Sequence, residues 1–347
     1  MMPDPMGRYL LRRSSRLERR SRLRVMTAGE ILDLSIRIYQ TMGLPILRLT
    51  ALPTALCTAS IAFVLFYLVP SLGYTSQPET IAGQVGETLL TLTMAVAVAG
   101  PLFLAGLSYS SGAIIHLVSD YILGNQPDME GAMRTGRKTL ARMFWLNVYE
   151  LFVAWGGVLL SVGLLLVSGL LAATTPEESA LPGVLASFSI VLIVLGFCWL
   201  PFVLGRHALG APVVVLDGLP TLPAIRRSIA LLRGDAVHPS GYGAIGQLFL
   251  VVGFVALALW LSGVTAMSLL QIDRVTAALG QIGPWGALVE RAVSLLPWYI
   301  GVWLTVPIWC TTITILYYER RIRLEGYDIE ALARDVWSSD RESRFEL

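Results

Sequence analysis

The stretch TTITILYYERRIRLEGYDIEALARDV, Thr311 to Val336, decides the fold. An uncharged run beginning at Ala292 ends in Tyr317-Tyr318, and Glu319, Arg320, Arg321 and Arg323 follow at once. Glu325-Gly326-Tyr327-Asp328 then reads as a turn, and an amphipathic stretch comes after it. A helix leaving the hydrocarbon of a bilayer needs this order of residues. Its interior is apolar, tyrosines and arginines mark the headgroup boundary, and an amphipathic segment follows along the surface.

The same reading extends through the chain. Runs free of Asp, Glu, Lys and Arg cover Leu49–Pro78, Thr88–Ser119, Leu151–Pro176, Ser179–Gly205, Ala236–Ile272 and Ala292–Tyr318. Each exceeds the ~20 residues that a helix needs to cross the hydrocarbon core. Lipid offers no partner to an open strand edge, so helices are expected. Only 14% of the 347 residues are charged, against about a quarter in a soluble domain. The first apolar run starts far from the N-terminus and is too long for a cleaved signal segment, so it is expected to remain in the protein. Cys57, Cys198 and Cys310 all fall inside apolar runs, where an odd count without ligand spacing argues for packing rather than disulfides or a metal.

Charge is distributed asymmetrically. Arg8, Arg12, Arg13, Arg16, Arg19, Arg20, Arg22 and Arg24 crowd the start of the chain. With that end cytoplasmic, only Arg274 and Arg291 of the 26 lysines and arginines fall outside, and the loops Ser71–Glu87 and Thr174–Pro182 have none. This is the positive-inside pattern, and it places both termini in the cytoplasm. The expected fold class is an all-α integral membrane protein. Six transmembrane helices form three hairpins, with interfacial amphipathic helices on the cytoplasmic side. Residues 1–26 are a basic cytoplasmic tail, 27–337 the six-span membrane domain, and 338–347 a cytoplasmic C-terminal tail.

Local signals place the turns. Thr27-Ala28-Gly29-Glu30 has the form of a capping box, opening an interfacial helix that ends where Pro45 and Pro53 steer the chain inward. Asp128 caps a second amphipathic stretch carrying Arg134, Arg137, Lys138 and Arg142. Thr221 reads as the N-cap of a third, which Gly234 terminates. Leu123-Gly124, Asp217-Gly218 and Glu325-Gly326 each follow a pair of spans and each precede a basic amphipathic stretch, as repeats of one unit would.

The strings LYYERRIRLEGYDIEALA, TAGEILDLSIRIYQ (Thr27 to Gln40) and APVVVLDGLPTLPAIRRSIALLRGD (Ala211 to Asp235) resemble the closing, opening and middle segments of the membrane domain of bacterial glycerophosphodiester phosphodiesterases. The resemblance spans roughly residues 25 to 337. It implies a stand-alone membrane domain, whose membrane-only relatives carry no assigned activity.

Phosphodiester hydrolysis would need histidines for acid–base work and a carboxylate cluster for metal. The chain has His116, His207 and His238, with no carboxylate cluster nearby, no phosphate-binding glycine loop with lysine, and no HExxH. No catalytic residue, metal or cofactor is expected. The expected function is a non-catalytic protein associated with lipid or a membrane partner. A transporter or channel for a small or lipid-like solute is the alternative, and a lipid-acting membrane enzyme a third. Nucleic acid is not an expected partner, since the basic tail lacks interleaved aromatics.

Glu150 is the most informative single residue, because a carboxylate inside a span usually faces protein or water and has a partner. His116, His207 and Arg206 are expected at a similar depth. The four together suggest a polar pocket on the cytoplasmic side, against the simpler reading of a carboxylate satisfied by one neighbour. Anionic headgroups are expected at Arg12, Arg13, Arg19 and Arg20 of the tail, at Arg226 and Arg227, and at Arg320, Arg321 and Arg323. In the third span Gly156-Gly157, Ser161, Gly163, Ser168 and Gly169 suit close helix approach.

Overall fold

A computed structural model of the chain describes residues 24–63, 99–174, 179–234, 241–272 and 295–327, with single positions elsewhere. Helix is the only regular structure among the described residues. We number the helices α1 (Ala28–Phe63), α2 (Gly100–Ile122), α3 (Met129–Thr174), α4 (Leu181–His207), α5 (Thr221–Arg233), α6 (Tyr242–Leu269) and α7 (Leu296–Glu325). A short turn, Gly210–Pro212, and a π-helical segment, Val213–Asp217, join α4 to α5. All but α5 are long and apolar enough to cross a membrane, and this defines a multi-pass membrane architecture.

The helix boundaries follow from local chemistry. At α1 the expected capping box forms: Glu30 N–H donates to Thr27 Oγ1 at 3.3 Å, and Thr27 N–H donates to Glu30 Oε2 at 2.8 Å. Asp128 opens α3 by accepting from the N–H groups of Glu130 and Gly131 at 3.0 and 2.9 Å. Thr221, expected as an N-cap, is instead the first helical residue of α5 and donates to Arg142 O at 3.2 Å. The turn glycines Gly124, Gly218 and Gly326 all adopt the left-handed conformation, with φ of 73°, 68° and 62°. A side chain at these positions would be strained, which explains glycine at each exit.

Two expected breaks are missing. The amphipathic opening and the first span form one 36-residue helix running through Pro45 and Pro53. Packing supports it along its length: Ile31, Ser35, Ile38, Met42, Ile46 and Leu49 make a continuous buried stripe. Thr312 Oγ1 donates to Ser35 Oγ at 3.1 Å and Trp303 Nε1 to Leu47 O at 3.0 Å, both from α7. Likewise the basic stretch after Asp128 continues into the third span as the 46-residue α3. At ~1.5 Å per residue α3 is about 69 Å long, more than twice the hydrocarbon thickness of about 30 Å.

Helices α2 and α7 are the centre. The first packs against α1, α3 and α7, the second against α1, α2 and α6. Every residue from Cys310 to Arg320 is buried. By contrast α4 and α6 present large apolar side chains outward, with Leu250 and Phe254 both 72% exposed. Such a surface is stable in lipid and a liability in water. Helices α3 and α4 meet through small residues: a Cβ on Gly196 would lie 2.8 Å from Val158 Cγ2, and Ser161 and Ser168 are buried. Gly156 and Gly163 face open space, so the small residues of α3 divide between the interface and its outer side.

Where the chain turns at Gly218 and Gly326, charged groups knit three elements together. Asp217 accepts from Tyr317 Oη at 2.6 Å and from Arg227 Nε at 2.9 Å, and Arg321 Nη1 lies 3.5 Å away. Glu325 takes Arg227 Nη2 at 2.8 Å and Arg321 Nε at 2.9 Å. The Arg321 guanidinium covers the Tyr327 ring at 4.3 Å. Burial alone would loosen the Arg227 proton, but the hydrogen bond to Asp217 and the charge of Glu325 outweigh it and hold the group above its ordinary value.

Candidate functional site

Below this network, a cavity of about 390 Å³ lies among α2, α3, the end of α4, α6 and α7. Its wall is mostly apolar, with Leu107, Met143, Leu204, Phe249, Val252 and Trp309 prominent. Set into it are Glu150 and Asn147 of α3, His207 of α4, Ser111 of α2, and Thr305 and Cys310 of α7. This size and makeup, an apolar wall with few polar groups, is typical of small-molecule sites of ~300–1,000 Å³.

Each polar group is positioned by backbone features. Glu150 stands one turn beyond Leu146, against the Gly210 turn, where a Cβ would lie 3.7 Å from its Oε1 and 3.3 Å from Leu146 Cδ1. Glycine there lets the two elements close. Asn147 Nδ2 donates to Ser108 Oγ at 2.8 Å, tying α3 to α2 beside the cavity. His207 ends α4, and the fully buried Ser228 of α5 fixes the turn after it. Its hydroxyl donates to Arg206 O at 3.0 Å and accepts from Leu209 N–H at 3.2 Å. The Tyr149 ring lies 5.6 Å from that of His207.

Two of these groups lack protein partners. His207 is 6% exposed, and its Nδ1 is buried without a hydrogen bond, as is Thr305 Oγ1. No donor among the described residues pairs with the Glu150 carboxylate. Buried polar groups are normally satisfied, so the two orphaned atoms, with the partly exposed Glu150 carboxylate, leave this cavity able to hydrogen-bond another molecule. Among the described residues no group of three His, Cys, Asp or Glu side chains is placed to hold a metal ion.

The other expected site residues fall elsewhere. His116 Nε2 lies 3.6 Å from Asp120 Oδ2 on its own helix and does not line the cavity. The Arg206 guanidinium sits 5.3 Å over the Phe202 ring, with Nε buried and unpaired. Arg227 and Arg321 belong to the Asp217–Glu325 network. Arg320 is 3% exposed and donates to Leu231 O at 2.9 Å, and Arg323 pairs with Glu319 at 2.7 Å. Arg226 is exposed. Arg12, Arg13, Arg19 and Arg20, and the C-terminal amphipathic stretch after Asp328 apart from Ile329, lie outside the described residues.

Asn147, Ser111, Thr305 and Trp309 were not singled out from sequence. The Asn147–Glu150 spacing of three, a polar pair on one face of an apolar helix, was the signal available. The fold defines a multi-pass membrane protein with a cavity of small-molecule size among its helices. Compared with known proteins, the chain matches no family model, no curated protein and no solved structure.

Proposed function

We propose that this is a non-catalytic membrane protein that holds an amphiphile in the Glu150 cavity. An apolar tail packs against Phe249, Val252 and Trp309, and a protonated amine meets the carboxylate. The observation that carries this reading is the Glu150 carboxylate, which no described donor pairs, lining the same cavity as the orphaned His207 Nδ1. A buried polar group without a partner costs about 1–3 kcal/mol, and more when charged. A ligand that donates to it offsets that cost, whereas a purely structural carboxylate would be satisfied by the protein itself.

The wider setting belongs to the same proposal. The arginine distribution supports cytoplasmic termini, and the resemblance to a bacterial family supports a bacterial plasma membrane. We read the three left-handed glycine turns as exits of three hairpins, with α5 and the first turns of α1 and α3 along the headgroup region. The terminal and central sequence strings support kinship with the membrane domain of glycerophosphodiester phosphodiesterases.

Trp309 gives a local readout. The full chain in phosphatidylcholine nanodiscs is titrated at neutral pH with bromododecylamine and, separately, with bromododecanol. Saturable quenching by the amine is expected, absent in Trp309→Phe. Glu150→Gln is expected to weaken amine binding about 10- to 100-fold, the worth of a charge-assisted hydrogen bond of about 1.5–3 kcal/mol. The alcohol should bind both proteins alike. Equal amine affinity in Glu150→Gln would refute the carboxylate's role.

A further inference from the structure

A second cavity, of about 560 Å³, lies on the opposite side of α2, between α1 and the first part of α3. Its composition differs from the first. It has no carboxylate, and its polar groups are Arg48, Arg137 and Tyr109. Among the described residues, none of these three has a hydrogen bond or ion pair. Of the other basic residues of α3, Arg134 is 3.5 Å from Glu130 and Arg142 donates to Gly218 O at 2.7 Å, while Lys138 is exposed. Arg137 alone of the α3 basic residues lines this groove.

The rest of the groove is apolar and directional. From Arg48 it follows α1 to Leu56, eight residues on, or about 12 Å. There it reaches Leu56 and Leu102, which are 60% and 56% exposed on the apolar flank. Two guanidiniums and a phenol in a groove otherwise lined by leucine, methionine, proline, alanine and glycine match a phosphate carrying acyl chains. Guanidinium forks bind phosphate oxygens in pairs, which a single lysine would not. Both arginines are exposed next to the apolar runs, where a phosphate of the headgroup region can reach them.

We propose that this groove is a specific site for an anionic phospholipid. The phosphate sits between Arg48 and Arg137 with Tyr109 donating to it, and an acyl chain runs along Leu56 and Leu102. The site is distinct from the Glu150 cavity in position and in charge, and it does not depend on what occupies that cavity.

The test uses the full chain in nanodiscs of phosphatidylcholine containing about one-tenth phosphatidylglycerol. Lipid retained after detergent washing is quantified by mass spectrometry. Wild type is expected to enrich phosphatidylglycerol on the order of tenfold. Arg48→Gln and Arg137→Gln should each lose part of this, and the double variant nearly all. Because neither arginine has a protein partner, all three should fold. Ala105→Trp, which fills the trough and leaves the charges, should also abolish enrichment, while Arg226→Ala should not. Three results would overturn the proposal: enrichment unchanged in the double variant, equal loss in Arg226→Ala, or displacement by millimolar inorganic phosphate with Ala105→Trp behaving as wild type. The last would mark a bare anion site.

Discussion

Asp217→Ala is expected to lower stability by about 3 kcal/mol, the range for breaking a partly buried charge network by removing one member. The carboxylate accepts from Tyr317 and Arg227 and faces Arg321, so its loss leaves three donors with one acceptor, Glu325, between them. The π-helical segment, α5 and α7 then lose their shared anchor. Because α5 holds the turn after His207 through Ser228, the damage reaches the cavity as well. Thermal unfolding in detergent, read by Trp fluorescence, checks this. Asp217→Asn should be milder, since the amide oxygen still accepts from Tyr317. A melting temperature within a degree of wild type for Asp217→Ala would show that the network is decorative.

Gly136→Val is the second large effect. A Cβ there would lie 2.9 Å from Tyr109 O and 3.3 Å from Ala113 Cβ, and Gly112 faces it across the same contact. The obstacle is backbone on a helix already packed on three others, so it cannot swing aside. Overpacking costs typically 1–3 kcal/mol, and a backbone clash puts this substitution at the upper end, about 3 kcal/mol. The same change at Gly29 or Gly163, which meet nothing within 4 Å, should be tolerated within about 0.5 kcal/mol. Comparing the melting temperatures and detergent-extracted yields of the three variants tests the close α2–α3 approach directly.

The fold was legible wherever one physical rule acted alone. Uncharged runs marked the long helices because the bilayer admits no alternative, and each exit glycine marked a left-handed turn. Legibility ended where distant segments meet. Tyr317, Tyr318 and Arg320 carry the composition of a headgroup boundary, yet tertiary partners bury them: Asp217 for Tyr317, Ser119 for Tyr318 at 2.7 Å, and Leu231 O for Arg320. No local pattern announces a partner 100 residues away. Pro45 misled for a related reason, since packing against α7 outweighs the hydrogen bond that a proline removes.

The candidate site divides the same way. Depth along a helix can be counted from sequence, and it brought Glu150 and His207 into one group, which the cavity joins. Rotation about the helix axis cannot be counted without knowing the neighbours. His116 shares the region but turns toward Asp120, and Arg206, adjacent to His207, points to Phe202 instead. Thr305 and Trp309 entered the site only because α7 packs centrally.

The central claim is that the Glu150 cavity holds an amphiphile, and the most direct measurement is native mass spectrometry of the full chain extracted in lipid particles without detergent. A tightly held, amine-bearing amphiphile is predicted on wild type, persisting after bulk lipid is stripped. It should be lost in Glu150→Leu, which removes the anchor, and in Val252→Trp, which fills the space and keeps the carboxylate. Glu150→Leu should remain folded, since replacing a buried charge with an apolar side chain is often neutral or stabilising, and Val252→Trp because its indole enters the open volume of the cavity. The account is contradicted if stripped wild-type protein carries no such molecule, or if both folded variants keep it unchanged.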